Sequence, residues 1–168
     1  MIPGYIDPAE LWPAVQARLS VAGMDAVLRG AGRVYVEGNK LPPALANDAD
    51  WGNLAIVPTR TLWSPPAAPG ESRGVAFLIR AEFNNLVRPG YSPDVAIGAA
   101  HRVAYSRLQG WVPAPAAGTP ADFRHFRPVT DILIASWAQA RALWDDERGM
   151  WYSSAEYRVR LLDKWAAA

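Results

Sequence analysis

The sequence predicts a single α+β domain over residues 1–168, in which a mainly antiparallel sheet is flanked by an N-terminal helix and a central helix. Three observations lead to this prediction. Apolar residues recur at helical spacing in two segments, apolar and polar residues alternate in several others, and the segments follow the order helix, strands, helix, strands. A hydrophobic fraction of 51% and a charged fraction of 20% are typical of a globular chain with a core.

The first predicted element is a helix over residues 7–22. Asp7 is its N-cap candidate, and Glu10 follows three residues later, which makes a capping box. Pro13 removes one early backbone hydrogen bond and can bend the helix. We expect the helix to end at Gly23.

Two strand candidates follow this helix. Residues 33–37 alternate between apolar and polar side chains, and residues 53–64 form a second strand. Pro58 interrupts the second strand, which favours a sheet edge or a bulge because proline lacks the N–H that a strand ladder needs. Residues 65–73 form a proline-rich loop, and we expect it to project because it is longer than an ordinary hairpin connection.

The segment 74–111 is the predicted centre of the fold. Residues 75–83 form a strand that is continuously apolar in its middle. A helix follows, for which Ser92 provides the N-cap, Pro93 the first position and Gly110 the end. The apolar residues on one face of this helix, which we expect to pack on the sheet, are Ile97, Ala100, Ala104, Leu108 and Trp111.

The C-terminal third contains a second proline-rich segment and two further strands. Residues 113–120 form the proline-rich crossover, and strands are predicted at 130–137 and 151–161. An acidic turn at 145–149 precedes the last strand, in which apolar and basic residues alternate from Tyr157 onward.

The composition argues against several functional classes. A net charge of +1 gives no field that would attract nucleic acid or an anionic membrane, so we expect neither specific nucleic-acid recognition nor membrane association. No apolar run reaches the ~20 residues that a transmembrane helix needs, and the first residues lack a signal-peptide pattern. The absence of cysteine removes disulfides and thiolate chemistry and fits a cytoplasmic product. The eight tryptophans exceed what so small a core needs, which favours some of them at an interface.

A search for catalytic and metal-binding patterns leads us to expect no enzyme activity, no metal and no cofactor. The two histidines, His101 and His125, have no partner histidine at metal-ligand spacing, and no nucleophile, phosphate-loop or dinucleotide motif is present. For His101 we expect a solvated or hydrogen-bonded helix residue. The acidic run at 145–147 is better explained as a solvated hairpin turn than as a cation site, because adjacent side chains in a turn rarely converge on one ion.

Two stretches carry a resemblance to a known family. Residues 145–161 lead from the acidic turn through Trp151-Tyr152 to a strand ending in Tyr-Arg-Val-Arg, and they resemble the closing hairpin of tail terminator and tail-completion proteins of long-tailed bacteriophages and phage-derived tail-like particles. Residues 99–111 resemble the middle helix of that family, which follows a strand like 75–83. The order of elements is similar over most of the chain, so the resemblance implies a lambda-type tail terminator fold.

The resemblance implies a structural virion protein in the tail or neck, assembled in the host cytoplasm. Such a protein forms a ring, usually a hexamer, that caps the tail tube, ends its polymerisation and provides the head–tail joining surface. Its partners would be further copies of itself, the tail tube protein and a head–tail connector or neck protein, with DNA able to pass through the lumen. Two alternatives stay open: a head–tail connector, neck or minor capsid protein, and an unrelated small-molecule binding domain or enzyme.

We expect contacts with neighbouring subunits or the tube from two places in the chain, the projecting loop and the closing hairpin. The candidate contact residues are Trp63, Pro66, Glu71 and Arg73 in or near the loop, and Trp144, Asp146, Trp151 and Tyr152 in the hairpin.

Overall fold

The computed structural model describes residues 11–38, 51–59, 72–85, 89–114, 123, 126–128, 130–137 and 142–163. In these residues the chain forms three helices and seven strands. The helices are α1 (Leu11–Leu19), α2 (Ala22–Leu28) and α3 (Pro93–Leu108). The strands are β1 (Val34–Val36), β2 (Gly52–Pro58), β3 (Ser72–Asn84), β4 (Phe126–Pro128), β5 (Leu133–Ser136), β6 (Leu143–Asp145) and β7 (Met150–Asp163).

All seven strands belong to one sheet, and its centre is the long antiparallel pair of β3 and β7. On the far side of β3 lie β2, which is antiparallel to it, and then β1, which is parallel to β2. The other edge of β7 is shared by three short strands, with β4 at its C-terminal end, β5 in the middle and β6 at its N-terminal end. The predicted α+β fold with a mainly antiparallel sheet is therefore confirmed, with one parallel pair.

The hydrophobic core lies between one face of the sheet and the three helices. Alternate residues of β3, including Phe77 and Phe83, point into it and are fully buried. The ring of Phe77 contacts Trp12 of α1 edge-on at 5.6 Å and stacks on Tyr157 of β7 at 5.9 Å between centroids. Helix and sheet are thus joined through a column of aromatic rings.

The N-terminal helix ends earlier than predicted, at Leu19 rather than at residue 22. The chain leaves the helical conformation at Ser20, whose hydroxyl donates to the carbonyl oxygen of Gln16, and α2 starts two residues later with Gly23 inside it. The second helix forms because it buries two apolar side chains. Met24 and Leu28 lie one helical turn apart and are both fully buried. The predicted cap at residues 7–10 lies outside the described residues.

The central helix matches the prediction. Helix α3 begins at Pro93 after an extended Ser92, although the serine side chain makes no capping hydrogen bond. Gly110 follows the helix with φ 74°, a left-handed conformation that favours glycine. The predicted inward residues Ile97, Ala100, Ala104 and Leu108 are buried, and Trp111 is half-buried against the core.

Strands β1, β2, β5 and β7 lie where the sequence predicts strands, with shifted ends, whereas β4 and β6 were not predicted. Pro58 is the last residue of β2, beyond the residues that pair with β1, so its missing N–H removes no bond to that strand. β5 is shorter than the predicted 130–137 because Ile132 exchanges backbone hydrogen bonds with residues 110–111 after α3 instead. Most of the two proline-rich segments lies outside the described residues, namely residues 65–71 of the first and 115–120 of the second. None of the helices in the described part of the chain is long and apolar enough to cross a bilayer.

Candidate interaction surface

The outer edge of the sheet beside β7 is built from short strands whose second edges are not covered by any other described strand. β5 and β6 each pair with β7 on one side, and no other described strand pairs with them on the other. Both are tied to α3. Ile134 N donates to Gln109 Oε1 at 2.9 Å, and Ala142 N donates to Asp94 Oδ1 at 3.0 Å. An open edge of this kind presents unpaired backbone donors and acceptors to a neighbouring chain.

The exposed large apolar side chains of the described residues belong to these same elements. Trp137 is 56% exposed and Leu143 is 57% exposed, values far above those of core residues. The full set is Val95 and Val112 at the two ends of α3, and Leu133, Trp137, Leu143 and Trp144 in or beside β5 and β6. We call this set the apolar edge. Exposed apolar side chains along the edge of a sheet are typical of an interaction site.

Three of the four hairpin candidates lie together at the β6 end of this edge. The rings of Trp144 and Trp151 are neighbours across the β6–β7 ladder, 5.0 Å apart between centroids. Each indole N–H is bonded, from Trp144 Nε1 to Asp146 Oδ1 at 2.7 Å and from Trp151 Nε1 to Asn85 Oδ1 at 3.0 Å. With their polar groups bonded, the two rings present apolar surface. Tyr152 lies on the opposite face of the sheet, because successive residues of a strand alternate.

The acidic turn between β6 and β7 is a compact hairpin turn, as predicted. Asp145 Oδ1 accepts hydrogen bonds from the backbone N–H groups of Glu147 and Arg148 at 3.0 and 3.1 Å. Gly149 closes the turn with φ 62°. Asp146 and Glu147 are exposed. In the described residues no group of three or more histidines or acids could hold a metal ion.

A buried charged cluster anchors this turn to the open face of the sheet. The fully buried carboxylate of Glu82 accepts hydrogen bonds from the hydroxyl of Tyr35 and the guanidinium of Arg148, and Arg80 Nε lies 3.3 Å away. Arg80 also binds Glu37 at 2.7 Å. Burial raises the pKa of Tyr35, and its hydrogen bond to Glu82 raises that pKa further. Sequence reasoning missed this cluster because its members come from β1, β3 and the turn, and only the strand pairing brings them together.

The structure describes only one of the four contact candidates predicted in or near the projecting loop. Trp63, Pro66 and Glu71 lie outside the described residues. Arg73 was predicted at the end of the projecting loop, but the structure places it in β3, where its backbone pairs with Leu161. The long partner strand β7 extends the ladder past the predicted start of β3, and this corrects the loop boundary.

Of the two histidines, His101 lies in the described residues, where it makes a buried structural contact. His101 is buried on α3, and its Nε2 lies 3.1 Å from the carbonyl oxygen of Ser153. Burial lowers the pKa of the His101 imidazole, although the contact with Ser153 opposes this. A structural, hydrogen-bonded histidine agrees with the sequence prediction. His125 lies outside the described residues.

Comparison with known proteins gives a match in fold to a solved structure. No protein-family model matches the sequence, and no curated protein matches it. Among solved structures, a chain from the virion of a native gene transfer agent particle has a similar fold, with a TM-score of 0.59 and 18% sequence identity. The match covers 94% of this chain and 98% of the other. At this identity, the shared property is the fold.

Proposed function

We propose that this chain is a virion structural protein that forms a ring on the tail tube, ends tube polymerisation and provides the surface for joining the head. The observation that carries the proposal is the likeness to a virion chain over nearly the full length of both proteins. A match of this extent relates whole subunits rather than one shared motif. The resemblance of residues 99–111 and 145–161 to tail terminator proteins supports the finer assignment to the tail.

The described surface is compatible with an assembling subunit. The apolar edge offers unpaired strand edges and exposed aromatic rings, which a neighbouring chain can cover. A ring requires two different patches on each subunit, since the same contact repeats around the circle. A ring whose second face lacks the binding surface of a tube subunit would then stop further growth.

The first experiment is electron microscopy of the purified chain by negative staining, with mass photometry over a concentration series. We expect closed rings with a central opening. A chain that stays monomeric at all concentrations tested would overturn the ring assignment and favour the small-molecule binding alternative.

The second experiment separates a tail terminator from a head–tail connector. A gold-labelled antibody against the chain is applied to purified particles and to free tail tubes. We expect label at the head-proximal end of tubes that carry no head. Label confined to heads, with none on free tubes, would favour a connector or minor capsid protein.

A further inference from the structure

Two arginines are held side by side at the C-terminal ends of α1 and α3. Arg18 Nε donates to the carbonyl oxygen of Arg107 at 2.9 Å, and Arg107 Nε donates to the carbonyl oxygen of Arg18 at 3.1 Å. The guanidinium of Arg18 also lies 5.1 Å from the centre of the Trp111 ring. These contacts fix both side chains and leave their terminal N–H groups for another acceptor.

The arginine pair carries two like charges with no acid beside them in the described residues. None of the ion pairs formed there includes Arg18 or Arg107. Burial lowers the pKa of Arg18, and the charge of Arg107 lowers it further. The C-terminal helix dipoles favour cations at this place, but the mutual repulsion remains. A carboxylate bound across both guanidinium groups would neutralise it through charge-assisted hydrogen bonds.

The acidic turn lies at the other end of the helical layer. Ala142, just before β6, is bonded to Asp94 in the first turn of α3, whereas Arg107 is in its last turn. The 16 residues of α3 span about 24 Å at the helical rise. Glu147 is exposed, and its side chain forms no hydrogen bond or ion pair within the described residues. Asp146 beside it is exposed as well, with its Oδ1 accepting from Trp144 Nε1.

We propose that the Arg18–Arg107 pair of one subunit binds the carboxylates of Glu147 and Asp146 in a second copy of this chain. The inference rests on the proposed ring and assigns its subunit contact. The occupant is a second copy because the two complementary charged surfaces are present on the same chain at opposite ends. A contact that joins two different surfaces can repeat from subunit to subunit, as a ring requires. The apolar edge next to the turn would be covered in the same contact.

Charge reversal on each side tests the contact. We expect Arg107→Glu and Glu147→Lys each to raise the concentration for half-maximal assembly at least tenfold, measured by mass photometry. Matched controls reverse exposed charges elsewhere in the described structure: Arg102→Glu, also on α3, and Asp131→Lys, before β5. Both controls should assemble like wild type. Glu147 supports no other described group, so Glu147→Lys remains informative even if Arg107→Glu fails to fold.

Mixing the two variants tests whether the contact joins different surfaces. The Arg107→Glu chain retains the acidic turn, and the Glu147→Lys chain retains the arginine pair. We therefore expect the mixture to recover assembly that neither variant shows alone, because the retained charges pair at one contact and the introduced glutamate and lysine attract each other at the next. No complex in the mixture would overturn the proposed contact.

The outcomes separate this contact from the ring itself. If Arg107→Glu and Glu147→Lys both still form rings as wild type does, the proposed contact is overturned and the ring assignment stands. Equal losses in the Arg102→Glu control overturn it too, because net charge alone would explain them. A wild-type chain that never assembles overturns the ring, and the contact with it.

Discussion

At the scale of single residues, the buried carboxylate of Glu82 is the most demanding position in the described structure. It has no exposure and is surrounded by a tyrosine hydroxyl and two guanidinium groups. A buried charge is tolerated only when its partners are complete, because removing one partner leaves the others desolvated and unpaired. The carboxylate therefore fixes the positions of β1, β3 and the β6–β7 turn relative to one another.

Replacing this carboxylate should destabilise the fold. We expect Glu82→Gln to lower the free energy of unfolding by ~3 kcal/mol, since Arg148 and Arg80 would lose their buried counter-charge. Glu37→Gln is the matched control. Its side chain is exposed, so we expect a loss of no more than ~1 kcal/mol. Urea unfolding followed by tryptophan fluorescence measures both, and equal losses would contradict the special role of Glu82.

His101 should make stability depend on pH. Because burial lowers its pKa in the folded state, the unfolded chain binds the proton more readily. Its contribution is therefore complete above the ordinary histidine pKa of about 6.5 and declines as the pH falls below that value.

Unfolding curves at several pH values, for wild type and His101→Gln, check this expectation. The glutamine amide can still donate to the Ser153 carbonyl but carries no titrating proton. We expect the stability of the variant to vary less with pH between pH 7.5 and 5.5. The same slope in both proteins would show that His101 does not contribute.

At the scale of elements, the long β3–β7 pair organises the molecule, and the other strands add to its two sides. β2 approaches β3 closely at Gly52. A Cβ placed there would lie 2.6 Å from the carbonyl oxygen of Glu82 and 2.7 Å from the Phe83 ring. The glycine is thus required by the close approach of the two strands.

A methyl group at this position should push the strands apart. We expect Gly52→Ala to cost about 3 kcal/mol of stability, because backbone atoms cannot move aside as a flexible side chain can. Gly74→Ala on β3 is the control, since a Cβ there meets nothing within 4 Å. Thermal unfolding by circular dichroism compares the two, and a neutral Gly52→Ala would show that β2 can shift without loss.

At the scale of the whole molecule, substitutions in the apolar edge can distinguish an effect on assembly from an effect on stability. Trp144 is 39% exposed, whereas its neighbour Trp151 packs against the core. We expect Trp144→Ala to change the free energy of unfolding by less than ~1 kcal/mol, and to weaken assembly at least tenfold, because interface tryptophans contribute strongly to binding.

The matched variant is Trp151→Ala, which removes packed surface and should lower stability as well as assembly. Calorimetry and mass photometry on both proteins give the comparison. If neither substitution altered ring formation or tail binding, the hairpin would be excluded as a contact site.

The sequence by itself determined the elements whose signals are local. The start and end of α3, the acidic turn and the alternation in β7 each depend on a few adjacent residues, and each is present as predicted. The α+β class followed from their order. The hairpin residues Trp144, Asp146 and Trp151 lie together for the same reason, since a turn brings them together directly, and their role as contacts stays a prediction.

Only the tertiary structure decided the features that depend on distant residues. Burial of Met24 and Leu28 favours a second helix where Gly23 indicated a helix end. Pairing with the long strand β7 places Arg73 in a strand rather than in the loop. The Glu82 cluster and the Arg18–Arg107 pair join residues far apart in the chain, so no local pattern marks them. Local propensity is weak, and pairing and burial outweigh it wherever the two disagree.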